Sequence, residues 1–373
     1  MARRKILISG YYGYGNAGDE AILGAILQAV TREVPDADFC VLSGNPERTR
    51  RDFGVRAIPG KNPLAILKEL WSSHLLLSGG GGLIQDSTGV QTVIYYLGVV
   101  SMARKLRRPV MFYAQGIGPV RTAKGRDLTR RIASRVQLIT VRDEESRALL
   151  DEIGVKGPRV VITADPVIAL EPATPARVNE ILAAEEIADP SRTVGLSLRP
   201  WSDEARTREA FVALGKDLVS QGYAVLVMPF QDSQDREVCT EVARGIGSGA
   251  VVPRREYGPI ELMGVVGRLH SVIGMRLHAL IFGGAQLVPV AGVAYDPKVS
   301  SFLRRVEAPV ISLEDVSAER LIEVSRALVS TADAHRERLR RLVPPLVDQS
   351  RETARLLAGL LGVGGASRQG NNS

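Results

Sequence analysis

The chain has 373 residues, 45% hydrophobic and 24% charged, the balance of a globular protein with room for two ordinary domains. This excludes a disordered chain, a coiled coil and a disulfide mini-protein. Lys and Arg number 48 against 41 Asp and Glu, a net charge of +7, modest at this length, so its location matters more than its size.

The basic start leads into an apolar run that ends at Gly10. That is shorter than the about 7–15 residues of a signal-peptide core, so a first strand is expected there. Strands are expected at Lys5–Ser9, Phe39–Ser43, Leu75–Ser78, Val110–Ala114, Leu138–Val141 and Val160–Thr163. Helical patterns lie between them, at Glu20–Glu33, Pro63–Ser72, Thr92–Lys105 and Arg126–Arg135. The strands are continuous apolar runs, the pattern of a parallel sheet covered on both faces. Two prolines in Glu171–Pro175 mark a linker. Alternation then resumes with strands at Thr193–Leu198, Ala224–Met228, Val251–Val252, Val272–Ile273, Val288–Ala291 and Val310–Ser312, and a last helical pattern covers His335–Leu361.

The expected fold is α/β: two doubly wound Rossmann-like domains, 1–170 and 193–340, joined by a linker at 171–192. They would face each other across a cleft lined by the carboxyl ends of their strands. A C-terminal helix (341–361) crosses back to brace the first domain, and 362–373 form a disordered tail. The uncharged stretches Ser87–Ala103 and Leu277–Tyr295 are too short or too broken to span a membrane. Cys40 and Cys239 read as free thiols in or near the core. A cytoplasmic protein is expected, at most peripheral to a membrane.

Three glycine turns follow strand ends. Gly13-Tyr14-Gly15-Asn16-Ala17-Gly18-Asp19-Glu20 contains a formal dinucleotide fingerprint, but no acid closes the second strand, so a nicotinamide site is weak. Asp19 and Glu20 either complement the helix dipole or, for Asp19, face substrate. Gly79-Gly80-Gly81-Gly82 and Gln115-Gly116-Ile117-Gly118 complete the set at one rim. Arg142 ends a buried strand, as an anion ligand or a surface ion-pair partner, and Arg199 ends another. In Gly274-Met275-Arg276-Leu277-His278, Arg276 and His278 open a helix. Cations there oppose the dipole unless an anion binds, and Lys298 faces the same conflict. His74 and His270 read as structural. There is no metal-ligand spacing, P-loop or nucleophile elbow.

In this order and spacing the chain resembles the polysaccharide pyruvyl transferases, especially the bacterial type that modifies the cell-wall polymer recognised by S-layer proteins. The motifs that carry the resemblance are Gly13–Glu20, Gly80–Asp86, Gln115–Pro119, Arg142-Asp143-Glu144 with Ser146, Asp165-Pro166, Gly274–His278 and Pro297-Lys298. The resemblance implies a glycosyltransferase-B-like fold, with phosphoenolpyruvate as co-substrate and no cofactor or metal. It implies a cyclic 4,6-ketal on a sugar similar to N-acetylmannosamine in a lipid-linked acceptor. Its functional positions match Asp19, Arg142, Arg276, His278 and Lys298, with Asn16, Gly18, Gly80, Gly81, Gln115 and Arg199 added as substrate contacts. His278 is expected to be the general acid, or the group that protonates the departing phosphate, and Asp19 the base on the acceptor hydroxyl; the nearer donor ligand is Arg142 or Arg199. The rival reading is a nucleotide-sugar glycosyltransferase, for which Glu307 and Glu314 are ribose candidates. Nucleic acid is not an expected partner, since no recognised motif is present.

The positive charge is concentrated. Arg104, Lys105, Arg107 and Arg108 carry four charges without an acid, and Arg121–Arg135 holds six cations against one acid. Both segments are expected to flank the glycine rim, as a face resting on anionic lipid or as a solvated helix face.

Overall fold

The apolar runs form two parallel sheets in a computed structural model that describes residues 3–87, 89–201 and 204–363. The tail from 364 onward lies outside the described residues. The first sheet is built from β1 (Arg4–Tyr12), α1 (Ala17–Glu33), β2 (Ala37–Ser43), α2 (Pro46–Phe53), β3 (Arg56–Pro59), α3 (Pro63–Ser72), β4 (Leu75–Ser78), β5 (Gly81–Ile84), α4 (Val90–Lys105), β6 (Val110–Ile117), α5 (Ala123–Ala133), β7 (Leu138–Val141), α6 (Glu144–Ile153) and β8 (Arg159–Ile162). Its order is β3-β2-β1-β4-β6-β7-β8, with β5 pairing β6, and every pairing is parallel. All eight residues of β6 are buried, as a central strand covered on both faces requires. Phe112, Leu76, Leu7 and Ile139 pack there against Leu97 and Val100 of α4.

The second sheet follows α7 (Pro175–Ala184). It comprises β9 (Thr193–Ser197), α8 (Glu204–Ser220), β10 (Ala224–Val227), α9 (Asp232–Ile246), β11 (Ala250–Val251), α10 (Pro259–Val266), β12 (Ser271–Gly274), α11 (Leu277–Ala285), β13 (Val290–Ala294), α12 (Pro297–Arg305), β14 (Val310–Ser312), α13 (Ala318–Ser330) and α14 (Ala332–Leu360). Its order, β11-β10-β9-β12-β13-β14, is that of dinucleotide-binding sheets. Val194, Leu196, Val227 and Ile273 pack against Phe211 and Leu214 of α8.

By internal contacts, 3–14, 19–170 and 346–363 make one unit, and 171–345 with 15–18 make the other. The assignment of α14 changes after Pro344-Pro345. Several local details differ from the sequence expectation. Gly81 and Gly82 are not turn but the start of β5. Pro175 is the first helical residue of α7, capped by Thr174, the position where proline fits a helix best. Cys40 and Cys239 are free and buried, and burial pushes both thiols up to about 12.

Candidate active site

In each sheet the strand order reverses beside the first strand, at β1/β4 and at β9/β12, where doubly wound sheets bind ligands. At β1/β4 the fully buried Tyr12 lies across the strand ends. A Cβ at Gly79 would stand 2.2 Å from its hydroxyl, and one at Gly10 2.2 Å from its ring. Both positions must therefore be glycine for the phenol to fit. Burial, then Asp19, Glu20, Tyr96 and Asp165, push the Tyr12 hydroxyl well up. The adjacent acids divide the work. Glu20 is buried and accepts from Gly13 N at 2.7 Å, fixing the turn. Asp19 is half-buried, its Oδ1 3.1 Å from where a Gly81 Cβ would sit. Gly80 is packed more tightly, with Ile22 2.9 Å from its Cβ position.

Gln115 is fully buried on β6, and neither its amide oxygen nor its nitrogen has a hydrogen-bond partner among the described residues. Leaving such a group unsatisfied costs about 1–3 kcal/mol. The residue before it, Ala114, has φ 44°, a left-handed backbone unusual for a non-glycine. The β6–β7 register shifts between Phe112 and Gln115, as at a bulge that re-aims a side chain. The strained backbone and the orphaned amide near the end of β6 make Gln115 a candidate ligand position.

Arg142 is buried after β7, its Nη1 2.9 Å from Asp165 and its Nε 3.5 Å from Asp143. It lies over Gly116, whose Cβ would come within 2.8 Å of the guanidinium. Two neighbours in its motif are structural. Asp143 caps α6 through Ser146 N, and the Ser146 hydroxyl accepts from Ile117 N at the end of β6. Asp86 is structural too, accepting from Arg121 N, Thr122 N and the Thr122 hydroxyl. Burial raises its carboxyl, but these bonds outweigh it and hold the group below its ordinary value.

In the second unit Arg276 caps α11 and His278 lies in its first turn, the placement expected from sequence. Arg276 is tied through Nε and Nη2 to the fully buried Asp235. Asp235 also accepts from Phe230 N (3.1 Å) and Gln231 N (2.9 Å). That loop in turn holds the first glycine motif: Phe230 O accepts from Ala17 N at 2.7 Å, and Asn16 bridges Gln231. Asn16 Oδ1 accepts from Gly18 N at 3.0 Å. A Cβ on Gly18 would stand 2.1 Å from His278 Nδ1, so Gly18 is what admits the imidazole.

Arg199, two residues beyond β9, and Lys298, in α12, meet around one ring. The Arg199 guanidinium lies 4.8 Å from the Trp201 ring centre and 4.9 Å from that of Tyr295, and donates to the Tyr295 hydroxyl at 3.0 Å. Its buried Nε has no partner among the described residues. Lys298 Nζ is 5.9 Å from the same ring centre and 3.3 Å from Asp296. Stacking on two rings fixes a guanidinium without neutralising it.

Sequence reasoning placed Asp165 in a motif but not as the partner of Arg142. It missed Tyr12, Asp235, Trp201 and Tyr295, and also Ser197, whose buried hydroxyl at the end of β9 has no partner among the described residues. Aromatic spacing gave no signal for them; an orphaned polar group is visible only in three dimensions. The basic segments do not both flank the rim. Arg104–Arg108 precede β6 at the amino edge of the sheet, and only Arg121 and Lys124 stand where α5 begins. No group of His, Cys, Asp or Glu among the described residues could hold a metal ion.

Solved chains of low identity share the fold. S. aureus MnaA, solved with UDP, is 10% identical, with 96% of this chain and 97% of that one covered at TM-score 0.71. A Neisseria meningitidis UDP-GlcNAc 2-epimerase is 13% identical, covering 96% and 100% at 0.63. A Rickettsia africae glycosyltransferase is 11% identical, covering 97% and 99% at 0.61. The fold class is therefore the glycosyltransferase-B-like one expected from sequence. The sequence model of polysaccharide pyruvyl transferase matches residues 16–297, and the chain belongs to that family and is a transferase. It is also similar to the amylovoran biosynthesis protein AmsJ of Erwinia amylovora, 20% identical over 82% of this chain and 86% of that one.

Proposed function

We propose that the chain moves the pyruvyl group of phosphoenolpyruvate onto a sugar diol as a cyclic 4,6-ketal and releases phosphate. The acceptor proposed is N-acetylmannosamine in a lipid-linked precursor of a cell-wall polymer of the S-layer-anchoring type, met at the inner face of the cell membrane. The observation that carries the donor assignment is the Arg199–Tyr295–Lys298 cluster beyond the carboxyl ends of β9 and β13. A carboxylate and a phosphate on one small molecule need several fixed cations. Arg276 keeps for a ligand the Nη1 edge that its pair with Asp235 does not use. In the first unit, Gln115, Gly81 and Arg142 are the remaining substrate contacts.

The reaction begins with a proton delivered to C3, which leaves C2 cationic. One sugar oxygen adds to C2, phosphate departs, and the second oxygen closes the ring. Of the two hydroxyl protons, one balances the proton placed on C3 and the other leaves with phosphate. His278 is the proposed acid and Asp19 the base on the acceptor hydroxyl. Nucleotide-sugar transfer is the rival, since the S. aureus neighbour was solved with UDP. Of its ribose candidates, Glu307 lies between α12 and β14 at the amino edge, beside Arg338 and Arg341, and Glu314 is exposed.

The test is incubation with phosphoenolpyruvate and an N-acetylmannosaminyl disaccharide. Phosphate release with a matching mass gain on the sugar supports the proposal. Stabilisation by UDP-sugars but not by phosphoenolpyruvate in thermal unfolding would favour the rival. Unchanged turnover in His278→Ala would remove the acid assignment.

A further inference from the structure

Helix α3 is amphipathic in an unusual sense, because it presents apolar side chains on both faces. Ile66 and Leu70 enter the core. On the other side Leu64 is 78% exposed, Leu67 38% and Trp71 70%, and Leu64 and Trp71 are the most exposed large apolar side chains among the described residues. At 100° per residue these three fall within an arc of about 60°. Single exposed leucines need no explanation; an apolar stripe ending in tryptophan does.

Cations surround the stripe. Lys61 and Lys68 are exposed beside it, while the helix's acid, Glu69, is turned to Arg56 at 2.8 Å. Arg108 donates to the Trp71 carbonyl, which sets the α4–β6 turn, with exposed Lys105 and Arg107, against the end of α3. Arg104 donates to the Arg135 carbonyl at 3.1 Å and extends the basic surface to α5. There Arg126, Arg130 and Arg131 are partly neutralised by Glu152 and Asp127.

We propose that α3, with the basic α4–β6 turn, is a docking surface for an anionic lipid bilayer, with Leu64, Leu67 and Trp71 entering the headgroup boundary. Charge complementarity selects this occupant. Long basic side chains keep their heads at the phosphates while apolar neighbours sink. A second copy of the chain, meeting this face symmetrically, would place like charges against like. No described helix is long and apolar enough to cross a membrane, so the contact is interfacial. The inference concerns where the chain rests and stands whether or not the proposed reaction does.

The experiment uses the full chain with Trp201→Phe, which leaves Trp71 the single tryptophan of the two in the sequence. On vesicles of equal phosphatidylglycerol and phosphatidylcholine it should float. Trp71 emission should shift to the blue and be quenched by brominated lipid, with neither change on pure phosphatidylcholine. Lys68→Gln should weaken binding about fivefold, and Leu64→Ser should lower it further, with unchanged circular dichroism. Three results overturn the proposal: no flotation on the anionic vesicles, flotation with Trp71 emission unmoved, or a dimer in sedimentation that Leu64→Ser dissociates.

Discussion

The two switch points share a topology and differ in chemistry. At β1/β4 the surroundings are tyrosine, glycine and carboxylate, with Arg142 held between Asp165 and Asp143. At β9/β12 they are cations supported by rings, with one carboxylate, Asp235, buried beneath. The proposed reaction accordingly assigns the polyol and the proton acceptor to the first sheet end and the small multivalent anion to the second. Each buries an arginine against aspartate, Arg142 on two and Arg276 on one, but the aspartates hold different things. Asp165 caps the short turn Pro166–Ala169, whereas Asp235 organises the Phe230–Gln231 loop on which Asn16 and Ala17 rest.

The largest expected effects come from breaking those pairs. Asp235→Ala strands the Arg276 charge and two backbone donors and should cost about 3–5 kcal/mol. Asp165→Ala leaves Arg142 with Asp143 at 3.5 Å and should cost less. In urea unfolding followed by hydrogen exchange, Asp235→Ala should release protection in the second unit and Asp165→Ala in the first. Loss of the same protected segments by both variants would mean that the pairs are not separate supports.

Next in size is Gly79→Ala, which sets a methyl against the Tyr12 hydroxyl and should cost about 1–3 kcal/mol. Tyr12→Phe should relieve that clash, because the ring carbon bearing the hydroxyl is 3.2 Å from the Gly79 Cβ position. It should not relieve Gly10→Ala, where the ring itself stands at 2.2 Å. A double-mutant cycle at each glycine measures the difference.

Gln115→Met separates stability from function. Replacing an orphaned amide by an apolar side chain of similar size should stabilise the free protein by about 1 kcal/mol while lowering turnover. A destabilised variant would show that the amide is satisfied inside the protein and is not held for a ligand.

Much of the fold was legible because parallel strands advertise themselves as apolar runs. Helix α3 has its expected bounds, Pro63–Ser72, because Asn62 and Pro63 give an unambiguous start. Helix α2, PERTRRDF, buries only Thr49 and carries no apolar period to read. The prolines taken for a linker conceal α7, because proline punctuates and starts helices alike. The site was legible as residue types at strand ends: Arg142, Arg199, Arg276 and His278 stand where the strand pattern puts them. Their partners were not. Asp165 is 23 residues from Arg142, and Asp235 is 41 from Arg276. Such pairing is a property of the folded chain, and so is the buried Gln115 amide.

The smallest predicted effect distinguishes the two units by pH. His270 and His335 both lie in the second unit and are held below the ordinary histidine value. Burial is the first cause in each. Arg336 and Arg192 add to it at His270 against an opposing Asp333, and Arg338 adds to it at His335. At and below about pH 6.5 the unfolded chain takes up protons that the folded rings resist. The stability the two rings contribute is therefore whole above about pH 6.5 and drains as pH falls through their depressed values. In the first unit the depressed groups are the Asp36 and Asp86 carboxyls, whose contributions are lost only in the more acidic carboxylate range. On mild acidification the second unit should lose hydrogen-exchange protection first, and the double variant His270→Gln, His335→Gln should flatten that slope. An unchanged slope in the double variant would place the titration elsewhere.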